Sequence, residues 1–161
     1  MKPSEKTGNN IWIISGPTAV GKNWSVLDPL MKLNIHNLVV QDMDRLKGKG
    51  QVMVQGFVDA FFKQNKGKDI VLGGVAWWPG ENPLKFPEES KRICLYRDPK
   101  AIAKDRYERD FHQLNSQGSS FSNIEKETVK QFALYEERGW IRATADQVVK
   151  DIVSHYQQGV V

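Results

Sequence analysis

Gly16-Pro17-Thr18-Ala19-Val20-Gly21-Lys22-Asn23 is the stretch on which the reading of this chain turns. Directly before it, Ile11-Trp12-Ile13-Ile14 is a short continuous apolar run, which predicts a buried parallel strand running into the turn Ser15-Gly16-Pro17. After Gly21-Lys22 a helix is predicted through Leu33, which Pro29 should shorten or kink. Strand, glycine-rich turn and helix together are the setting of the pattern G-x-x-x-x-G-K-[ST]. There, successive backbone N–H groups curl around a phosphate at a helix N-terminus. Gly16 permits a tight exit from the strand, and Gly21 lets the backbone approach the phosphate oxygens closely. The Lys22 ammonium would bridge β- and γ-phosphates and stabilise charge during transfer. The last position departs from the pattern. Asn23 stands where Ser or Thr normally offers a hydroxyl to Mg²⁺. An amide oxygen can ligate a hard cation, but it is longer and must be oriented by a hydrogen bond. An ordinary Gly/Pro turn is the alternative, and the agreement of strand, loop and helix argues against it.

Outward from this loop, apolar patterning continues to alternate between short runs and helical spacing. Asn37 to Gln41 reads as a second strand, followed by Asp42-Met43-Asp44. Gln51 to Asn65 carries Val54, Phe57, Val58, Phe61 and Phe62 at helical spacing, and Met53, Phe57, Phe61 and Phe62 are expected in the core. Asp69 to Gly74 is a third strand with a glycine stop, and Arg92 to Tyr96 a fourth. Asp98-Pro99 opens a helix, with Asp as N-cap and Pro at the first position, running to about Leu114. Asn115 to Asn123 is Ser- and Gly-rich and reads as a loop. Ile124 to Arg138 is a helix ended by Gly139, Trp140 to Arg142 a short last strand, and Thr144 to Tyr156 a final helix. This alternation implies an α/β fold with a mostly parallel five-stranded sheet and helices on both faces. One domain is expected over 11–158, with a flexible N-terminal tail over 1–10.

Composition sets the outer bounds. The chain has 161 residues, 40% hydrophobic and 26% charged, which suits a single globular core and excludes general disorder. Its one cysteine, Cys94, cannot form an internal disulfide, and it sits in an apolar run where it should pack as a small hydrophobe. No apolar run approaches the roughly 18 residues of a membrane span. Met1 to Asn10 shows no apolar signal region, so a cytoplasmic protein is expected. Lys and Arg total 23 against 19 Asp and Glu, a net charge of +4. The cations are scattered rather than clustered, which argues against a nucleic-acid partner and suits a phosphate pocket. Lys63, Lys66 and Lys68 read as a solvated surface. His36, His112 and His155 lack metal-ligand spacing, and His155 is expected to serve the C-terminus of the last helix.

With the phosphate loop and these elements in order, the sequence resembles the P-loop kinase group that contains shikimate kinase, gluconate kinase and the nucleoside monophosphate kinases. The resemblance implies a parallel five-stranded sheet with the first strand central. It implies an ATP-dependent phosphotransferase acting on a hydroxylated metabolite or a nucleoside monophosphate, with Mg²⁺. In such proteins an acid after the second strand faces the acceptor and the metal. Asp42 and Asp44 both match that place, and the choice between them stays open. A carboxylate there can take the acceptor's proton or position the cation through water. Gly73-Gly74 resembles the acceptor-binding turn of these kinases, and Trp77 and Trp78 beyond it either stack on a flat substrate or cover the sheet edge. No Asp closes the third strand, so the usual second acid is absent and the metal falls to Asn23 and Asp42.

The same resemblance implies arginines at the edge of a lid, expected over 110–124. Arg106 and Arg109 match that position, where a guanidinium stabilises charge on the transferring phosphoryl group. Asp105, Glu108 and Asp110 are alternative partners for them on a solvated helix surface. Two other readings are carried alongside. One is a nucleotide-binding protein with weak or no turnover, motivated by Asn23. The other follows from Gly-Pro-Thr-Ala-x-Gly-Lys, which is also similar to the opening of tRNA isopentenyltransferases. Those enzymes are longer and need a tRNA-binding insertion for which this chain has no room.

Overall fold

The computed structural model describes residues 10–17, 23–43, 50–74, 84–114 and 121–157, with the side chains of 23, 24, 51, 109–114, 121 and 157 excepted. The apolar run after Asn10 forms β1 (Ile11–Ser15), buried at every position. Successive strand side chains point to opposite faces, so burial throughout means that both faces of β1 are covered. β1 is the middle of a five-stranded sheet ordered β2-β3-β1-β4-β5. The partners are β2 (Leu38–Asp42), β3 (Asp69–Gly73), β4 (Lys91–Leu95) and β5 (Ile141–Ala143), and every neighbouring pair is parallel. Central β1 and β3 are apolar and buried, whereas edge strands β2 and β5 are half-buried or exposed. Parallel neighbours require crossovers, and helices provide them.

The first helical segment begins as a π-helical turn, Asn23–Leu27, and continues as α1 (Asp28–Leu33). Pro29 has no N–H to give to the carbonyl four residues back, so the segment upstream of it is wound more widely. The remaining helices are α2 (Gln51–Gln64), α3 (Pro99–Leu114), α4 (Phe121–Glu137) and α5 (Ala145–Gln157). α3 starts as expected: the Lys100 N–H donates to Asp98 Oδ1 at 3.0 Å, with Pro99 in the first helical position. α5 is opened by a reciprocal pair, in which the Thr144 N–H donates to Gln147 Oε1 and the Gln147 N–H to Thr144 Oγ1. α4 ends where Gly139 adopts φ 88°, with the Gly139 N–H donating to Glu136 and the Trp140 N–H reaching back to the Tyr135 carbonyl. That is a Schellman ending, and its usual apolar contact is the edge-to-face packing of Tyr135 on Trp140, 5.3 Å between ring centroids.

Several expected boundaries move for local reasons. Asn37 has φ 65°, so β2 starts one residue later and ends on Asp42. Trp140 belongs to the ending of α4, which shifts β5 to Ile141–Ala143. α4 begins at Phe121, so Phe121 to Asn123 are helical rather than loop. Of the expected lid over 110–124, residues 110–114 continue α3 and 121–124 open α4, and 115–120 lie outside the described residues. Asn10, expected in the tail, is fastened to β3: its N–H donates to Asp69 Oδ1 at 3.0 Å and its carbonyl accepts from Ile70.

The core joins Ile13, Ile14, Val71 and Leu95 of the sheet to Leu27, Leu30, Val58, Ile102, Phe132 and Ile152 of the helical segments. α2 corrects one expectation. Val54 and Val58 face the sheet and Phe61 and Phe62 are partly buried, but Met53 and Phe57 are 53% and 48% exposed. Adjacent apolar stripes on one helix cannot both face the same sheet. Cys94 is buried as expected, and burial pushes its thiol up to about 12 against a smaller opposing pull from Arg142. Lys63, Lys66 and Lys68 are exposed. No helix among the described residues is long and apolar enough to cross a membrane.

Candidate functional site

In open parallel sheets, ligands gather beyond the carboxyl ends of the strands. Register brings the described candidates together there. Asp42, the last residue of β2, is opposite Gly73, and Gly73 is opposite Ile14 of β1. With strands about 4.8 Å apart, the Asp42 backbone lies roughly 10 Å across the sheet from the exit of β1. Asp42 is half-buried, and the ladder runs one step past it, the Met43 N–H donating to the Gly73 carbonyl at 2.7 Å. Asp44 lies outside the described residues.

β1 leaves the sheet through Ser15, which is buried, into Gly16 and a buried Pro17. Pro17 has no N–H, so the donors that a phosphate could use begin at Thr18. Thr18, Ala19, Val20, Gly21 and Lys22 lie outside the described residues, and Asn23 is described only by its backbone, at the start of the π-helical turn. The helical segment expected after the loop is therefore present, and Leu27 packs it onto the sheet at Gly73. A Cβ on Gly73 would come within 2.7 Å of Leu27 Cδ1. Gly73 thus makes room for the helical segment that starts at Asn23. Gly74 has φ 128°, a conformation that side chains disfavour, and its N–H donates to the Ile14 carbonyl at 3.3 Å. Trp77 and Trp78 lie outside the described residues. A small apolar pocket opens at this edge, lined by Ile13, Ile14, Met43, Val58, Gly73 and Phe86 among others.

One contributor carried no sequence signal. Tyr135 of α4 is buried, with its hydroxyl 2.9 Å from Ser15 Oγ. The Gly16 backbone also hydrogen-bonds it, and Ser15 Oγ donates to the Gly74 carbonyl at 3.4 Å. Burial pushes the Tyr135 hydroxyl up to about 12, against the weaker pull of its hydrogen bonds from Ser15 and Gly16. An amphipathic-helix tyrosine has no motif, and its partner is 120 positions away in the chain.

Arg106 lies seven residues into α3 from Pro99, about 10 Å along the helix from the carboxyl edge. None of its expected neighbours on α3 holds it among the described ion pairs. Asp105 instead meets Arg97 at 3.0 Å, and Arg106 Nη1 lies 3.8 Å from Glu127 Oε1 of α4. That separation is an ion pair too long for a hydrogen bond. Nε and Nη1 of Arg106 are buried with no hydrogen-bond partner among the described residues. Buried donors on a cation are costly unless an acceptor meets them, so this guanidinium suits an anionic oxygen. Arg109 is described only as backbone on α3.

A metal finds less ready-made here. Among the described residues, no three His, Cys, Asp or Glu side chains come together. A divalent cation at this edge would rest on Asp42, on residues outside the described ones, and on phosphate oxygens and water.

Comparison with known proteins finds no matching family model and no matching curated protein. Among solved structures, that of shikimate kinase from Bacteroides thetaiotaomicron is similar over 92% of this chain and 96% of that chain, with 15% sequence identity and a TM-score of 0.49. At that identity no site residue carries over from one chain to the other.

Proposed function

We propose that this chain is an ATP-dependent phosphotransferase that moves the γ-phosphoryl group to a small-molecule acceptor, a hydroxylated metabolite or a nucleoside monophosphate. The observation that carries this reading is the place of Gly16-to-Asn23. The phosphate-loop pattern starts at the carboxyl end of the central strand of a parallel sheet, and a helical segment follows it. Backbone N–H groups from Thr18 onward cradle the triphosphate, and Lys22 spans its β- and γ-oxygens. Asp42 or Asp44 accepts the proton of the attacking hydroxyl. Gly73 and Gly74 border the acceptor, with Trp77 and Trp78 beyond them. Arg106 and Arg109 stabilise charge on the transferring group, and the unpartnered Arg106 nitrogens support that role. Mg²⁺, held by Asp42 and Asn23, would neutralise charge on the phosphate oxygens.

A coupled ADP-release assay over a panel of sugars, hydroxy acids and nucleoside monophosphates tests the proposal. Acceptor-dependent ADP formation is the expected result, and its absence with every acceptor would overturn the reading.

A second reading has its own observation. β3 ends in Gly73-Gly74 with no carboxylate, and Asn23 replaces the usual hydroxyl. Both weaken metal holding, which favours a protein that binds nucleotide with little turnover. It predicts a rise in Tm with ATP and no ADP formation. Asn23→Thr separates the two: a large gain in turnover marks an enzyme limited by its metal site.

A further inference from the structure

The two turns that frame the proposed site, at Gly16 and at Gly74, are joined through two side chains, Ser15 of β1 and Tyr135 of the distant helix α4. Tyr135 Oη, Ser15 Oγ, the Gly16 N–H and the Gly74 carbonyl form a continuous hydrogen-bonded chain. The Gly16 N–H can only donate, so it gives to the Tyr135 oxygen. The hydroxyls of Tyr135 and Ser15 are 2.9 Å apart, and either can donate to the other. The Gly74 carbonyl, which can only accept, is 3.4 Å from Ser15 Oγ. Burial keeps the Tyr135 hydroxyl protonated by pushing it up to about 12.

We propose that the Tyr135 hydroxyl is a positioning group for the phosphate loop, holding the first turn of that loop and the Gly73–Gly74 turn at a set separation from α4. This rests on the proposed nucleotide site. Three observations make the hydroxyl a fixed post. Tyr135 is the residue whose carbonyl closes the Schellman ending of α4. Its ring is packed edge-on against Trp140. The Gly16 N–H that it accepts is the last amide before Pro17, so the loop's own donors to phosphate begin immediately after the anchored group. Fixing the Gly16 backbone presets where the loop's donors begin, and such preorganisation raises affinity without a new contact to the ligand. α4 also carries Glu127 beside Arg106, so the helix that holds the loop root borders the proposed phosphoryl-stabilising cation as well.

The test compares wild type, Tyr135→Phe, Ser15→Ala and Trp140→Phe by titration calorimetry with ATP and Mg²⁺, well below each variant's Tm. Tyr135→Phe keeps the ring and removes the hydroxyl. Its Kd for ATP should rise about tenfold at unchanged stoichiometry. Ser15→Ala breaks the same chain one atom on and should weaken binding several-fold, which keeps the test open if Tyr135→Phe folds poorly. Trp140→Phe loosens the packing alone and should lower Tm with little change in Kd. A merely structural Tyr135 would lower the binding-competent fraction, and hence the stoichiometry, at constant Kd. Where turnover is measurable, KM for ATP rises with kcat unchanged in Tyr135→Phe. Wild-type affinity in both hydroxyl variants, or equal weakening in Trp140→Phe, would overturn the inference alone. Wild-type protein that binds no nucleotide would overturn the site reading and the inference with it.

Discussion

The two edges of the sheet are built on opposite principles. At the amino edge, Asp69 opens β3 and both its carboxylate oxygens are used: Oδ1 accepts from the Asn10 N–H at 3.0 Å and Oδ2 from the Tyr156 hydroxyl at 2.7 Å. Asn10 Nδ2 meets His155 Nε2 at 2.8 Å, and the rings of His155 and Tyr156 pack on buried Trp12. Lys91 Nζ lies 5.5 Å from the centroid of the Trp12 ring. His155 thus acts in the last turn of α5, as its place suggested, but toward Asn10. This edge binds the last helix to the first strand through Asp69, Asn10 and Tyr156, although Ser90 Oγ, just before β4, is buried without a hydrogen-bond partner among the described residues. At the carboxyl edge the chain leaves through Gly16 and Gly74, and farther along α3 Arg106 keeps buried donors without partners among the described residues. The amino edge thus uses the Asp69 carboxylate inside the fold, whereas Arg106 keeps donors for a group from outside.

That division can be broken by mutation, and the largest effect belongs to the carboxyl edge. Lys22→Ala should lower turnover by about 100-fold or more with Tm unchanged, measured by ADP release and differential scanning calorimetry. A matching fall in Tm would mean that the loop is structural. Arg106→Gln should cost about tenfold to 100-fold in turnover while Tm stays level or rises, because an under-partnered buried cation is removed. A clear drop in Tm would make Glu127, not an incoming phosphate, the true partner of Arg106.

At the amino edge the effects fall on stability. Tyr156→Phe leaves Asp69 Oδ2 without its donor and should destabilise the fold by about 1–3 kcal/mol in urea unfolding, with ATP affinity unchanged. Altered affinity there would couple the edges and spoil the contrast. The smallest effect is in alkali. Burial raises the hydroxyls of Tyr135 and Tyr156 above the ordinary 10.0, Tyr156 being pushed further by its bond to Asp69. The unfolded chain therefore releases these protons first. Their stabilisation is whole below about pH 10 and is lost as pH rises through about 12 for Tyr135. Urea titrations between pH 9 and 11.5 should show falling stability, with a shallower fall in each Tyr→Phe variant.

How much of this could be read from residues alone depends on how local the cause is. The Asp98-Pro99 start of α3 and the Gly139 end of α4 depend on a few neighbouring residues, and both are found where the sequence puts them. Asp42 stands out in the sequence by following the apolar run Leu38 to Val40, and as the last residue of β2 it comes to the edge beside Gly73. Gly73 reads as a turn glycine, but the side chain that a Cβ there would meet, at 2.7 Å, is Leu27, far away in the chain. Met53 and Phe57 have helical spacing with the core residues of α2 and still face outward, because spacing defines a face without saying where the sheet lies.

What the sequence determined by itself was the alternation of elements, the parallel α/β class and the phosphate-loop pattern, since each follows from steric and hydrogen-bonding needs of adjacent residues. Tertiary structure alone decided the order β2-β3-β1-β4-β5, the fastening of Asp69 by Tyr156, and the chain from Tyr135 to Gly74. Those are pairings between residues tens to more than a hundred positions apart. Their free energy exists only once the sheet has closed around β1, and no local pattern records it.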